Sequence, residues 1–167
     1  MKPVRVGIIG TSWWADAMYL PVLKNHPRAR MEAVAGRNPE TTRKFASRWE
    51  IPRQYEDADA LIEKAQIDAL IIATGNESHC PLTLKAIGQG LHVLCEKPLG
   101  LSYPEAYRMA VAANESGVTN MVPFTYSFMP TARFLKELID SNYLGRPYHL
   151  NMRYYGGGGR KPGYLWR

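Results

Sequence analysis

Short apolar runs rich in β-branched residues alternate with amphipathic segments along most of this chain. The first run, Val4-Arg5-Val6-Gly7-Ile8-Ile9, suits a strand buried on both faces of a parallel sheet. It closes in a tight turn at Gly10, after which Trp14-Ala15-Asp16-Ala17-Met18 starts a helix that is interrupted near Pro21. Met31 to Ala35 reads as the second strand, ending at Gly36-Arg37-Asn38. Asn38 before Pro39 is an N-cap followed by proline at the first helical position, so the spacing predicts a helix from Pro39 to Trp49. Ile51 to Tyr55 can hold only a short strand because of Pro52, and Asp57 caps a helix from Ala58 to Lys64.

The alternation continues. Asp68 to Ala73 is a buried strand, followed by the polar loop Thr74-Gly75-Asn76-Glu77-Ser78 and a helix from Pro81 to Gln89. Leu91 to Cys95 is the next strand and leads into Glu96-Lys97-Pro98. Ser102 with Glu105 three residues on is a capping box that opens a helix from Tyr103 to Ser116. A strand from Val118 to Val122 and a helix from Thr131 to Ser141 follow. Strands and helices alternating with short connections predict a doubly wound parallel α/β sheet. Ligands bind such sheets at the carboxyl ends of the strands, where the polar clusters of this chain lie.

Character changes at Gly145. From Pro147 to Tyr155 the residues alternate at the strand period, and Gly156-Gly157-Gly158-Gly159 is a flexible run. Two domains are therefore expected, 1–144 and the start of a second at 145–167. A lone strand leaves its edges unpaired, so it must dock on another chain, lie against the first domain or be disordered; self-association through 147–155 into a homo-oligomer is the expectation.

Composition narrows the class. An apolar content of 46% with charges of both signs fits a globular domain with a real core. No run is long enough to span a bilayer, and the N-terminus leads directly into a strand, which predicts a cytoplasmic protein without a signal peptide. Cys80 and Cys95 read as small buried residues, and no Cys/His spacing resembles a metal site. The net charge of +6 is spread over Arg28, Arg30, Arg37, Arg43, Lys44, Arg48 and Arg53 rather than gathered in a stripe, which argues against nucleic acid as partner.

The candidate chemistry starts at Gly10. A strand, a glycine turn and a helix start make an anion site, because the first helical N–H groups and the positive dipole end point at the turn. Gly10-x-Ser12-x-x-Ala15 meets the dinucleotide fingerprint at its first and last positions. Ser12 replaces the middle glycine; its Cβ narrows the turn, while its hydroxyl could donate to a phosphate oxygen.

With Glu96-Lys97-Pro98 the chain resembles the Gfo/Idh/MocA oxidoreductases (glucose–fructose oxidoreductase, inositol dehydrogenase, rhizopine catabolism). The resemblance rests on the Gly10 turn, Thr74-x-Asn76-x-x-His79, His92-Val93-Leu94-Cys95-Glu96-Lys97-Pro98 and Phe124-x-Tyr126-x-Phe128-x-Pro130, in that order. It implies an N-terminal Rossmann domain with the first strand of an incomplete second α/β domain, in a family whose members are roughly twice this length. It also implies hydride transfer between NAD(P) and a hydroxyl or carbonyl of a sugar or polyol, an activity not expected of this chain by itself.

The resemblance further implies roles. Gly10, Thr11, Ser12, Trp13 and Trp14 would hold the pyrophosphate, and Thr74, Asn76 and His79 would line the nicotinamide ribose. For His79 a bond to local backbone is the alternative. Glu96, Lys97 and Pro98 would sit beside the nicotinamide, with Lys97 as the catalytic residue that binds or deprotonates a substrate hydroxyl. Tyr126 would join Lys97 in binding substrate, and Pro98 would follow a cis peptide bond. Arg37 stands where a carboxylate would bind the ribose hydroxyls of NAD, so NADP is the preferred cofactor and NAD the alternative. Thr125 and Ser127 stand where many members carry asparagine and arginine, and the second-domain aspartate and histidine are not reached. A non-catalytic nucleotide-sensing or interaction protein that dimerises through 147–155 is the competing reading.

Overall fold

A computed structural model describes residues 2–153 and Tyr155. Six strands, β1 (Val4–Ile9), β2 (Ala29–Ala35), β3 (Arg53–Tyr55), β4 (Ala69–Ile72), β5 (His92–Cys95) and β6 (Asn120–Met121), form one sheet in the order β3-β2-β1-β4-β5-β6. Every neighbouring pair is parallel. The chain starts in the middle, winds outward to β3, then returns beside β1 and winds the other way. The strand order thus reverses between β1 and β4, which is where a doubly wound sheet opens a crevice.

Strand alternation divides the core into two layers. On one face Ile9, Leu70, Ile72, Val93 and Cys95 pack under α4 (Ala58–Lys64), α5 (Asn76–Gly88) and α6 (Tyr103–Ser116), which contribute Leu61, Ala86 and Met109. On the other, Val6, Ile8, Val34, Ile71 and Ala73 pack under α1 (Trp13–Met18), α2 (Leu20–Asn25) and α3 (Pro39–Trp49), which contribute Ala15, Leu20 and Phe45. Period-two strands covered on both sides must be apolar at nearly every position, as β1 and β4 are.

Caps account for the best-anticipated helices. Asn38 Oδ1 accepts from Thr41 N at 2.9 Å and Asp57 Oδ1 from Ala60 N at 2.7 Å, so α3 and α4 start where expected. Ser102 Oγ accepts from Glu105 N at 3.5 Å, while the Glu105 carboxylate reaches back to Leu101 N at 2.7 Å, a variant of the capping box. The first helical segment breaks at Tyr19, where α2 begins with Pro21 in its first turn.

Two expectations fail. Helix α5 begins at Asn76 rather than Pro81, so most of the expected polar loop is helical and Pro81 lies inside the helix, returning no hydrogen bond to Glu77. Polar residues after a glycine read as loop, yet Gly75 is an extended N-cap that lets them form a first turn. The strand expected over 147–155 is absent among the described residues of that stretch. Alternation permits a strand, but only a hydrogen-bonded neighbour makes one, and no described strand supplies that ladder. Tyr154 and residues 156–167, including the glycine run, lie outside the described residues.

The chain divides into two compact units, the first ending at Phe124 and the second starting at Thr125. The second holds a short 3-10 helix at Thr125–Phe128 and α7 (Pro130–Asp140). Helix α7, which the sequence reading places in the first domain, thus falls in the second unit. No helix among the described residues is long and apolar enough to cross a membrane.

Candidate functional site

The strand ends at the crevice are fastened to one another in series. Gly10 N donates to Ala35 O at 2.9 Å, Ala73 N to Ile9 O at 2.9 Å, and Glu96 N to Ile72 O at 3.0 Å. The turns after β1, β2, β4 and β5 are therefore set side by side along one rim of the sheet.

The first turn depends on glycine. Gly10 has φ +108°, and a Cβ there would stand 2.2 Å from Ala73 O. Ser12 is the extended N-cap of α1, and its Oγ faces Ala15 N at 3.4 Å. The hydroxyl thus serves the helix start as an acceptor. Gly36 brings the second turn close: a Cβ there would lie 2.5 Å from Thr42 Oγ1 and 2.9 Å from Thr11. Arg37 follows it, exposed. Beyond β4, Thr74 Oγ1 and Ser78 Oγ are 2.6 Å apart, and Ser78 Oγ donates to Gly75 O at 2.8 Å. Asn76 is half-buried in the first turn of α5.

His79 is only 1% exposed. Its Nδ1 lies 2.7 Å from Pro98 O and its Nε2 3.3 Å from Thr74 O. Both nitrogens face backbone, which is the alternative raised for this residue. The ring straps the turn after β4 to the turn after β5.

Glu96 is 6% exposed, and its carboxylate is fully engaged. Oε1 accepts from the Trp14 indole N–H and the Tyr19 hydroxyl, and Oε2 from the Lys97 backbone N–H at 3.1 Å. Burial first, then the Glu96 carboxylate, pushes the Tyr19 phenol well up from its ordinary range. Burial likewise pushes the Cys95 thiol up to about 11, which keeps it a neutral core residue. The Lys97 ammonium lies over the Trp14 ring, 5.5 Å from its centroid, and the Lys97–Pro98 peptide bond is cis.

The rim therefore gathers Gly10 to Trp14, Arg37, Thr74, Asn76 and Glu96 to Pro98. Tyr126 belongs to the 3-10 helix of the second unit and is exposed. Sequence reasoning missed Tyr19 and the side-chain role of Trp14. Their partner Glu96 lies 77 and 82 residues away, so no local pattern connects them.

Residues 4–124 match the model of the oxidoreductase family with an NAD-binding Rossmann fold (GFO_IDH_MocA), and the chain belongs to that family. It is 31% identical over 144 residues to a dTDP-3,4-didehydro-2,6-dideoxy-alpha-D-glucose 3-reductase of Actinomadura kijaniata, covering 86% of this chain and 43% of that protein. A 3-ketoreductase structure from the same organism, in complex with NADP and TDP-benzene, superposes with TM-score 0.77 at 30% identity, over 84% of this chain and 43% of that one. Scyllo-inositol dehydrogenase from Lactobacillus casei, solved with NAD(H) and scyllo-inositol, gives TM-score 0.81 at 22% identity, over 86% of this chain and 43% of that one, and shares the fold. The chain thus spans less than half the length of these relatives.

Proposed function

We propose that this chain is the dinucleotide-binding part of an oxidoreductase that moves hydride between NADP and a hydroxyl or carbonyl carbon of a sugar or polyol. The observation that carries this reading is the Glu96-Lys97-Pro98 segment, fixed by a buried carboxylate beside the β1–β4 crevice. The turn suits a pyrophosphate: a Cβ at Gly10 would stand 2.2 Å from Ala73 O, so glycine is what lets the chain turn this tightly from β1 toward α1. Arg37, exposed after β2, suits a 2′-phosphate through charge-assisted bonds. The relatives include a D-xylose 1-dehydrogenase [NADP(+)] of Haloarcula marismortui, in keeping with that choice of cofactor and substrate class.

When bound, the nicotinamide supplies the hydride acceptor or donor. Lys97 Nζ binds the substrate hydroxyl or, once its own proton has left to solvent, takes the hydroxyl proton during oxidation and returns it during reduction. Thr74 and Asn76 orient the ribose, and His79 serves the site through the backbone it straps.

Calorimetric titration with NADPH and NADH tests the reading. NADPH is expected to bind more tightly, and Arg37→Ala to weaken NADPH by roughly 30-fold, the equivalent of about 2 kcal/mol, while NADH changes little. Binding of neither cofactor would refute the site, and equal losses for both would refute the role of Arg37.

A further inference from the structure

Resting on the reading of Lys97 just given, we propose that Trp14 is the positioning residue that aims the Lys97 amine. The indole acts on two sides at once. Its N–H holds the Glu96 carboxylate, from which the Lys97 backbone N–H also hangs at 3.1 Å, and its ring face carries the Lys97 ammonium at 5.5 Å. One side chain from the first turn of α1 therefore fixes both the main chain and the amine of a residue after β5.

The geometry favours this over simple space filling. A lysine stem has four rotatable bonds, so an aromatic face beside it narrows the positions its amine takes. A cation over an indole face is attracted by the ring quadrupole, which selects among those positions. The platform is itself held. Its N–H is bound to a carboxylate that is 6% exposed, and the Trp13 ring meets it edge-on, with centroids 5.8 Å apart and planes at 60°. Tyr19 supplies the second donor to the same Glu96 oxygen, so the anchor survives small movements of the indole. Phenylalanine at position 14 would offer a face without the donor, and leucine would offer neither.

Nuclear magnetic resonance of the chain labelled with 13C-lysine reads the contact, because protons above an aromatic face are displaced upfield. The Lys97 Hε resonance, assigned by its disappearance in Lys97→Arg, is expected upfield of the other lysines. Trp14→Leu should abolish that displacement, Trp14→Phe should leave a reduced one, and Tyr19→Phe should preserve it. A Lys97 signal coincident with exposed lysines in the unsubstituted chain, or one unmoved by Trp14→Leu, overturns the proposal. Should Trp14→Leu fail to fold, the unsubstituted chain and Trp14→Phe still decide, since an undisplaced signal in the former or an unchanged one in the latter refutes the role. Titrating NADPH into the same samples separates the two claims. A displaced Lys97 signal with no NADPH binding defeats the cofactor reading and leaves the positioning contact standing, whereas NADPH binding with an undisplaced signal does the reverse.

Discussion

Gly10 carries two demands that no other residue type meets together. Its φ of +108° lies where L side chains are strained, and a Cβ would overlap the Ala73 carbonyl at 2.2 Å. Gly10→Ala is therefore expected to lower stability by about 3 kcal/mol in urea denaturation and to weaken NADPH binding with it. Unchanged stability would mean the turn relaxes freely. The glycine could be picked out from the sequence as a turn after a strand, but its collision partner could not, since Ala73 follows a different strand. His79 makes the same point from the opposite side. Its spacing from Thr74 is visible in the sequence, yet its full burial between two carbonyls depends on α5 starting at Asn76.

The starts of α3, α4 and α6 were legible because a side chain closes each first turn. Asn38, Asp57 and Ser102 each accept from a backbone N–H three residues on, and α3, α4 and α6 begin directly after them. Asn38→Ala removes that acceptor while leaving Pro39 at the first position. It is expected to cost about 1 kcal/mol, read as a lower midpoint in chemical denaturation with an unchanged slope. A neutral substitution would show that Pro39 alone starts the helix. Helix α5 has no side-chain cap, which is why its start could not be read locally. The stretch 147–155 fails for a related reason: a helix carries its own hydrogen bonds, whereas a strand borrows them from a neighbour.

For the molecule as a whole, the Arg5–Asp68 pair ties β1 to the entry of β4 on the sheet end opposite the site. The Arg5 guanidinium meets Asp68 at 2.7 and 3.1 Å and its backbone N–H at 2.8 Å, which holds the Asp68 carboxyl down to about 2. A carboxylate with a depressed folded value contributes stability above its unfolded value, and that contribution fades as pH falls toward the folded one. Asp68 is two-fifths exposed, so solvent screening reduces the contribution to about 1 kcal/mol. Asp68→Asn should thus be less stable than the parent by that amount at pH 7, with the gap closing between about pH 4 and pH 2 in thermal melts. A gap that persists at pH 2 would assign the loss to packing instead of charge.

The sequence alone determined what depends on neighbours along the chain: burial period, capped helix starts, glycine turns, and the Glu96-Lys97-Pro98 segment that marks the family. Tertiary structure decided what depends on residues far apart: the strand order that puts β1 beside β4, the strap from His79 to Pro98, and the Trp14–Glu96–Lys97 contact across 82 residues. Local patterns encode backbone preference, whereas contacts between distant strand ends exist only after the sheet has chosen its neighbours.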